Sequence, residues 1–218
     1  WVLDLCEAMD RDVPGLRWIC NSRVDAVDEE ILAAMKKAGC LLISYGLESG
    51  SQSILDSCRK GISLDDSRRA IHLTRRAGIL AFGYFILGLP EETWETVRQT
   101  IDFALDVEPD YALFHIATPF PGTRLFDEAV EKGLLLNQDW DLCDEETAGI
   151  LRTVALSAED LAKARRIAMR EFYLRPKVIA RELTRTASVG SIVSRTEAAA
   201  RMLLNWAGKK HPCKGLTR

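Results

Sequence analysis

Along the first 120 residues, short apolar runs alternate with longer stretches whose apolar positions recur every three or four residues. The runs are Leu16–Cys20, Cys40–Tyr45, Phe82–Leu87 and Tyr111–Thr118, each too short for a full helix. They read as strands, and the periodic stretches between them as amphipathic helices. Helices are predicted over Trp1–Met9 (Val2, Leu5, Cys6 and Met9 on one face), Asp28 to Gly39, Ser51–Cys58, Asp65–Ala77, Thr93–Val107, and from the Pro119–Thr123 turn to Lys132. The Asp28 helix opens on acids and closes on Lys36, Lys37 and Gly39, which suits its dipole at both ends. This alternation predicts right-handed parallel βα units and an α/β fold. Four units fall short of a closed eight-stranded barrel, so the expectation is a partial (β/α) TIM-like barrel with an unpaired edge at Leu16–Cys20.

The stretch Ala81 to Thr93 organises the rest. Its apolar run reads as a strand buried on both faces, stopped by Gly88 and Pro90 and followed by the acids of a first helical turn. In parallel α/β folds ligands sit at that end of the strands. After about Leu134 the strand rhythm stops. Residues 1–135 are therefore read as the barrel part and 136–218 as a helical C-terminal extension. Within the extension, Ser157 and Asp160 form a capping box ahead of an amphipathic helix, Pro176 opens another, and Ser191–Trp206 is a last one.

Charge adds an asymmetry. Residues 1–150 carry 14 Lys and Arg against 27 Asp and Glu, whereas residues 151–218 carry 15 against 5. The basic end is read as docking on an acidic surface rather than on nucleic acid, because apolar residues interleave with its arginines at helical spacing. Six cysteines, at 6, 20, 40, 58, 143 and 213, include no CxxC pair, which excludes the usual zinc and redox spacings and assigns no metal ligand. The thiols read as reduced and the chain as cytoplasmic, with Cys20 and Cys40 as small core residues. No apolar run reaches eighteen residues, so no transmembrane segment is expected. The opening WVLDLCEAMD reads as mid-helix, hence as a piece of a longer protein.

Four strand-end motifs carry candidate chemistry. Tyr45–Ser51 places Glu48 and two hydroxyls between Gly46 and Gly50, where a carboxylate can accept both hydroxyls of a ribose; Glu48 is equally suited to capping the following helix. Lys60-Gly61 can pin a ligand carboxylate or simply end a helix. Ile86-x-Gly88-x-x-Glu91 offers an apolar surface and a glycine to a flat ring. Pro119-Phe120-Pro121-Gly122-Thr123 is rigid by composition and presents backbone groups.

Taken in order, YGLESGS, LDSCRKG, GYFILGLPEET and TIDFALDVEPDYALFHIATPFPGT resemble the second half of the radical S-adenosylmethionine (SAM) superfamily core. The branch most similar is the cobalamin-associated one of oxidative cyclases and methylases, which NSRVDAVDEEILAAMKKAGC and EFYLRPKVIARELTR also resemble. The resemblance implies SAM and a [4Fe–4S] cluster as cofactors, cobalamin as a further cofactor of that branch, and a small-molecule substrate. It implies that Glu48 contacts the ribose and Lys60 the SAM carboxylate. Ile86, Gly88 and the backbone at Pro119 would pack on adenine, Ser49 and Arg23 would face the same mouth, and Glu91 would order the turn. Two features depart from the family: Tyr84 stands where a glycine is usual, and the three-cysteine cluster motif and glycine-rich SAM turn are absent. The cluster ligands are therefore expected in a missing N-terminal half, and this chain alone is expected to be inactive. The alternatives are a methylthiotransferase-like enzyme acting on RNA and a non-catalytic nucleoside-binding module.

Overall fold

The computed structural model describes residues 1–137 and 151–184. Residues 1–172 form one compact unit and residues 173–218 a second. The expected helix Ser191–Trp206 lies outside the described residues.

Four strands, β1 (Trp18–Ser22), β2 (Cys40–Glu48), β3 (Leu80–Leu87) and β4 (Tyr111–Ile116), form one sheet in the order β1-β2-β3-β4, every pair parallel. Helices α1 (Val2–Asp12), α2 (Glu29–Lys37), α3 (Gln52–Ser57), α4 (Leu64–Arg76), α5 (Trp94–Val107) and α6 (Arg124–Glu131) flank or connect the strands, and α7 (Ala158–Tyr173) and α8 (Pro176–Thr184) follow. This is the α/β, TIM-like arrangement of four βα units that the periodicity predicts. Helix starts follow local chemistry: Asp28, Ser63, Thr93 and Thr123 each accept a bond from a first-turn N–H, with reciprocal boxes at Ser63/Asp66 and Thr93/Thr96. Ser157 and Asp160 make the same exchange at α7. Among the described residues no helix is long and apolar enough to cross a membrane.

The strands differ from expectation in two ways. β1 is shifted two residues along, leaving out Leu16 and Arg17 and taking in Asn21 and Ser22, and β2 continues through Gly46 and Leu47 to Glu48. Glycine is a poor strand former, but Tyr45, Gly46 and Glu48 find ladder partners in Gly83, Tyr84 and Phe85, with an irregularity at Leu47. The second difference is burial. β3 is not buried on both faces: Ala81, Gly83, Phe85 and Leu87 are buried, while Leu80, Phe82, Tyr84 and Ile86 are half-exposed. Register carries this division across the sheet. Ile43, Tyr45, Phe85, Ala112, Phe114 and Ile116 fill the covered face, with the Phe85 and Phe114 rings stacked at 5.0 Å. Burying such side chains contributes about 1.5–3 kcal/mol each. On this face the Tyr45 hydroxyl meets Thr74 Oγ1 of α4 at 2.7 Å, and burial pushes its phenol up to about 12.

Two further packing features position the strand ends. Leu161 of α7 lies against Gly88, and buried Arg165 donates from Nε to the Phe114 carbonyl at 2.8 Å, so α7 belongs to the first unit. Cys40 Sγ donates to the Leu42 carbonyl at 3.7 Å, and the neighbouring thiols of Cys20 and Cys40 act on each other, lowering that of Cys20 and raising that of Cys40. Cys40 is fully buried and Cys20 half-buried.

Candidate functional site

Because all four strands are parallel, their C-terminal ends share one rim, and the segments Glu48–Ser51, Gly88–Thr93 and Ala117–Thr123 leave from it. The Ala117 N–H bonds the Leu87 carbonyl at 2.7 Å and ties the last two of these exits together.

Glu48 ends β2 in the left-handed region (φ 61°), a conformation unusual for a residue other than glycine. The loop beyond it explains why. Ser49 Oγ meets Thr100 Oγ1 of α5 at 3.0 Å, and the Gly50 N–H donates to the same oxygen at 3.0 Å. A Cβ on Gly50 would stand 2.5 Å from the Gln99 carbonyl and 2.7 Å from Thr100 Cα. The loop is therefore drawn down onto α5, and the sharp turn at Glu48 leaves that carboxylate on the rim. This corrects two expectations. Ser49 does not face the mouth but is fully buried against α5, and Gly50 permits approach of a helix, not of a ligand.

Lys60 reaches the rim from the other side. α3 ends at Cys58, Arg59 turns through φ 53°, and the Lys60 N–H closes on the Leu55 carbonyl at 3.1 Å. The Lys60 ammonium then meets Glu48 Oε1 at 2.5 Å, both side chains largely sheltered. The pair lies over Gly46, where a Cβ would stand 2.5 Å from Glu48 Oε1 and 3.0 Å from Lys60 Nζ. Gly46 thus leaves room for an ion pair that any larger residue would displace. Arg23 joins from β1's end: it forks onto Asp25 at 2.9 and 2.8 Å and donates to the Lys60 carbonyl at 3.3 Å. Its guanidinium is exposed and serves the loop rather than the mouth.

The apolar part of the rim sits beside this pair. Ile86 packs against a buried cluster of Ile54, Leu89, Ala117, Ala129, Leu134 and Leu151. Gly88 has φ +93°, and its N–H donates to Glu92 Oε2. Glu92 is the missed residue here. Glu91, assigned to ordering this turn, is exposed, whereas Glu92 is fully buried and takes the Thr153 hydroxyl on its carbonyl at 2.9 Å. Burial raises its carboxyl to about 7. In a GLPEET string two adjacent acids compete for one role, and only backbone direction separates them. Pro119 is buried, and Thr123 closes the turn beyond it by donating from N–H and Oγ1 to the Phe120 carbonyl at 3.1 and 2.6 Å.

The rim thus offers a carboxylate paired with an ammonium, next to the strand whose end carries half-exposed Ile86, and such a pair can bind a ligand's hydroxyls and carboxylate. A metal is a different matter: among the described residues no group of three or more His, Cys, Asp or Glu could hold one.

Comparison with known proteins bears on the family and the fold. The Radical SAM superfamily model matches residues 2–104. An uncharacterized methyltransferase of Pyrococcus horikoshii is 36% identical over 181 residues, 83% of this chain and 39% of the relative. The anaerobic magnesium-protoporphyrin IX monomethyl ester cyclase of Rubrivivax gelatinosus is 36% identical over 132 residues, 60% of this chain and 24% of the relative. Among solved structures, the radical S-adenosylmethionine methyltransferase TsrM from Kitasatospora setae superposes with a TM-score of 0.54 at 25% identity, covering 60% of this chain and 26% of that one. The chain therefore spans between about a quarter and two fifths of these proteins' length. With parallel βα units, strand-end motifs and relatives in accord, residues 2–104 of the chain carry the radical SAM superfamily domain.

Proposed function

We propose that residues 1–135 form the C-terminal part of a radical SAM barrel, with residues 136–218 an extension, in a protein that performs radical methyl transfer or cyclisation on a small molecule with the help of cobalamin. The observation that carries this reading is the Glu48–Lys60 pair held over Gly46 at the C-terminal mouth of a parallel sheet.

In this proposal Lys60 gives up part of its bond to Glu48 and binds the carboxylate of SAM, and the freed Glu48 oxygens accept the ribose hydroxyls. Each protein–ligand bond involves an ionised group and is worth about 1.5–3 kcal/mol. Ile86 and the Gly88 turn cover one face of the adenine, and the backbone beside Pro119 bounds its edge. Held by these residues, SAM would supply radical chemistry: one electron from outside these residues would cleave its sulfonium C–S bond, methionine leaving as the thioether. The described residues do not fit an iron–sulfur cluster, whose ligands are proposed to lie outside them. The relatives described as methyltransferases and as a cyclase support the reaction class.

The test is SAM affinity of the full-length protein, measured anaerobically by equilibrium dialysis. Lys60→Met and Glu48→Gln are each expected to weaken binding by roughly 10- to 100-fold, the value of one lost charged hydrogen bond. Wild-type affinity in both variants would overturn the assignment.

A further inference from the structure

We infer that the open face of the sheet is a platform for a substrate built of several fused, conjugated rings with a polar margin. The inference rests on the proposed SAM site, because the platform runs directly into it.

The two faces of β3 and β4 have different chemistry. Behind the sheet the side chains are apolar and fully enclosed. In front, Phe82, Tyr84, Tyr111 and His115 form a continuous ladder, with ring centroids 4.8 Å apart for Phe82–Tyr84, 6.1 Å for Phe82–Tyr111 and 5.7 Å for Tyr84–His115. These side chains are half-exposed. The hydroxyls differ likewise. Buried Tyr45 on the rear face is satisfied by Thr74, whereas among the described residues the Tyr84 and Tyr111 hydroxyls bond no protein group. Tyrosines placed this way present a ring to stack on.

Register sets the position and the polarity of the platform. Tyr84 stands beside Gly46, over which the Glu48–Lys60 pair lies, so the ladder begins next to the carboxylate and ammonium of the rim. One level lower, Phe82 and Tyr111 align with Ser44, which is itself buried, and then with exposed Asn21, so the same row turns from aromatic to polar toward β1. From residue 82 to 86 and across three strands the surface spans about 13 by 10 Å at ordinary rise and strand spacing. A single six-membered ring would cover one rung of it. A fused multi-ring system would cover the ladder, with its polar substituents directed toward exposed Asn21.

The full-length protein is titrated with 1-pyrenecarboxylate, indole-3-acetate and cholate, following pyrene fluorescence, indole fluorescence and calorimetric heat respectively. Cholate has four fused rings and a carboxylate but is not planar, so it separates stacking from apolar burial. The expected order is pyrenecarboxylate tightest, at least about tenfold ahead of both others. Tyr84→Phe keeps the stack and is expected to stay within about twofold of wild type, while Tyr84→Leu loses about three- to tenfold for the pyrene probe, the range of one aromatic contact. Cholate binding as tightly as pyrenecarboxylate, or equal losses in Tyr84→Phe and Tyr84→Leu, would overturn the inference. The SAM titration is scored separately. Ring binding without SAM binding would sink the cofactor reading and leave the platform standing, and SAM binding without ring preference would do the reverse.

Discussion

At the scale of single residues, Glu92 is where burial and charge conflict most sharply. Its Oε2 takes the Gly88 N–H, yet Oε1 is enclosed with no hydrogen-bond partner. An ionised carboxylate there lacks the bonds that would offset its desolvation, so the proton is retained up to about pH 7 against an ordinary 4.5. The folded state then holds a proton that the unfolded chain has released between those values. By linkage, stability from this group is greatest below about pH 4.5, declines as pH rises to about 7 and is level above. A shift of this size bounds the effect at roughly 3 kcal/mol. Glu92→Gln removes the titration while keeping an acceptor for Gly88. Urea unfolding of both proteins from about pH 5 to 8 should show the wild-type stability minus that of the variant falling with pH. A difference that does not change with pH would refute the assignment.

At the scale of elements, the caps and the strand rhythm were open to reading because both rest on local chemistry. Ser63, Thr93, Thr123 and Ser157 each cap the helix that follows them, and alternating apolar runs and periodic stretches become βα units. What escaped reading depends on neighbours distant in sequence. Gly46 belongs to β2 because β3 pairs with it, and Ser49 is buried because Thr100, 51 residues later, lies beneath it. The aromatic ladder escaped for a similar reason: period-two burial in β3 is hidden when both faces of a strand carry large apolar residues. The attachment of α7 also has no local signal. Its Arg165 bonds a backbone carbonyl of β4, and its Glu171 takes a bidentate fork from Arg98 of α5 at 3.0 and 2.8 Å, which raises the Arg98 pKa further. Arg165→Met keeps most of the side-chain volume but removes the buried charged donor, so unfolding free energy should drop by about 2–3 kcal/mol in urea melts. A loss under about 0.5 kcal/mol would mean that α7 is held by its apolar face alone.

At the scale of the whole molecule, the two edges of the sheet are managed differently, and this has a consequence in solution. The β4 edge is covered where α7 crosses it and satisfies the Phe114 carbonyl. The β1 edge has no strand partner beyond it among the described residues, and apolar side chains at it are exposed: Ile19 is 67% exposed and Leu16 44%. An uncovered strand whose own Ile19 and preceding Leu16 are exposed is a template for another chain. The charges, prolines and bulges that usually blunt such an edge are sparse here, with only the irregularity between Trp18 and Ile19. The 218-residue chain studied by itself is therefore expected to self-associate at micromolar to millimolar concentrations. Ile19→Lys puts a charge on the strand without touching the covered face, and should shift sedimentation velocity profiles toward monomer while leaving the circular dichroism spectrum intact. Ile179→Lys is the control, since Ile179 is another exposed isoleucine, at 45%, on α8 in the second unit. Equal dispersal by both lysines would trace association to surface apolarity in general, and a wild-type chain that stays monomeric throughout the range would remove the open edge as its cause.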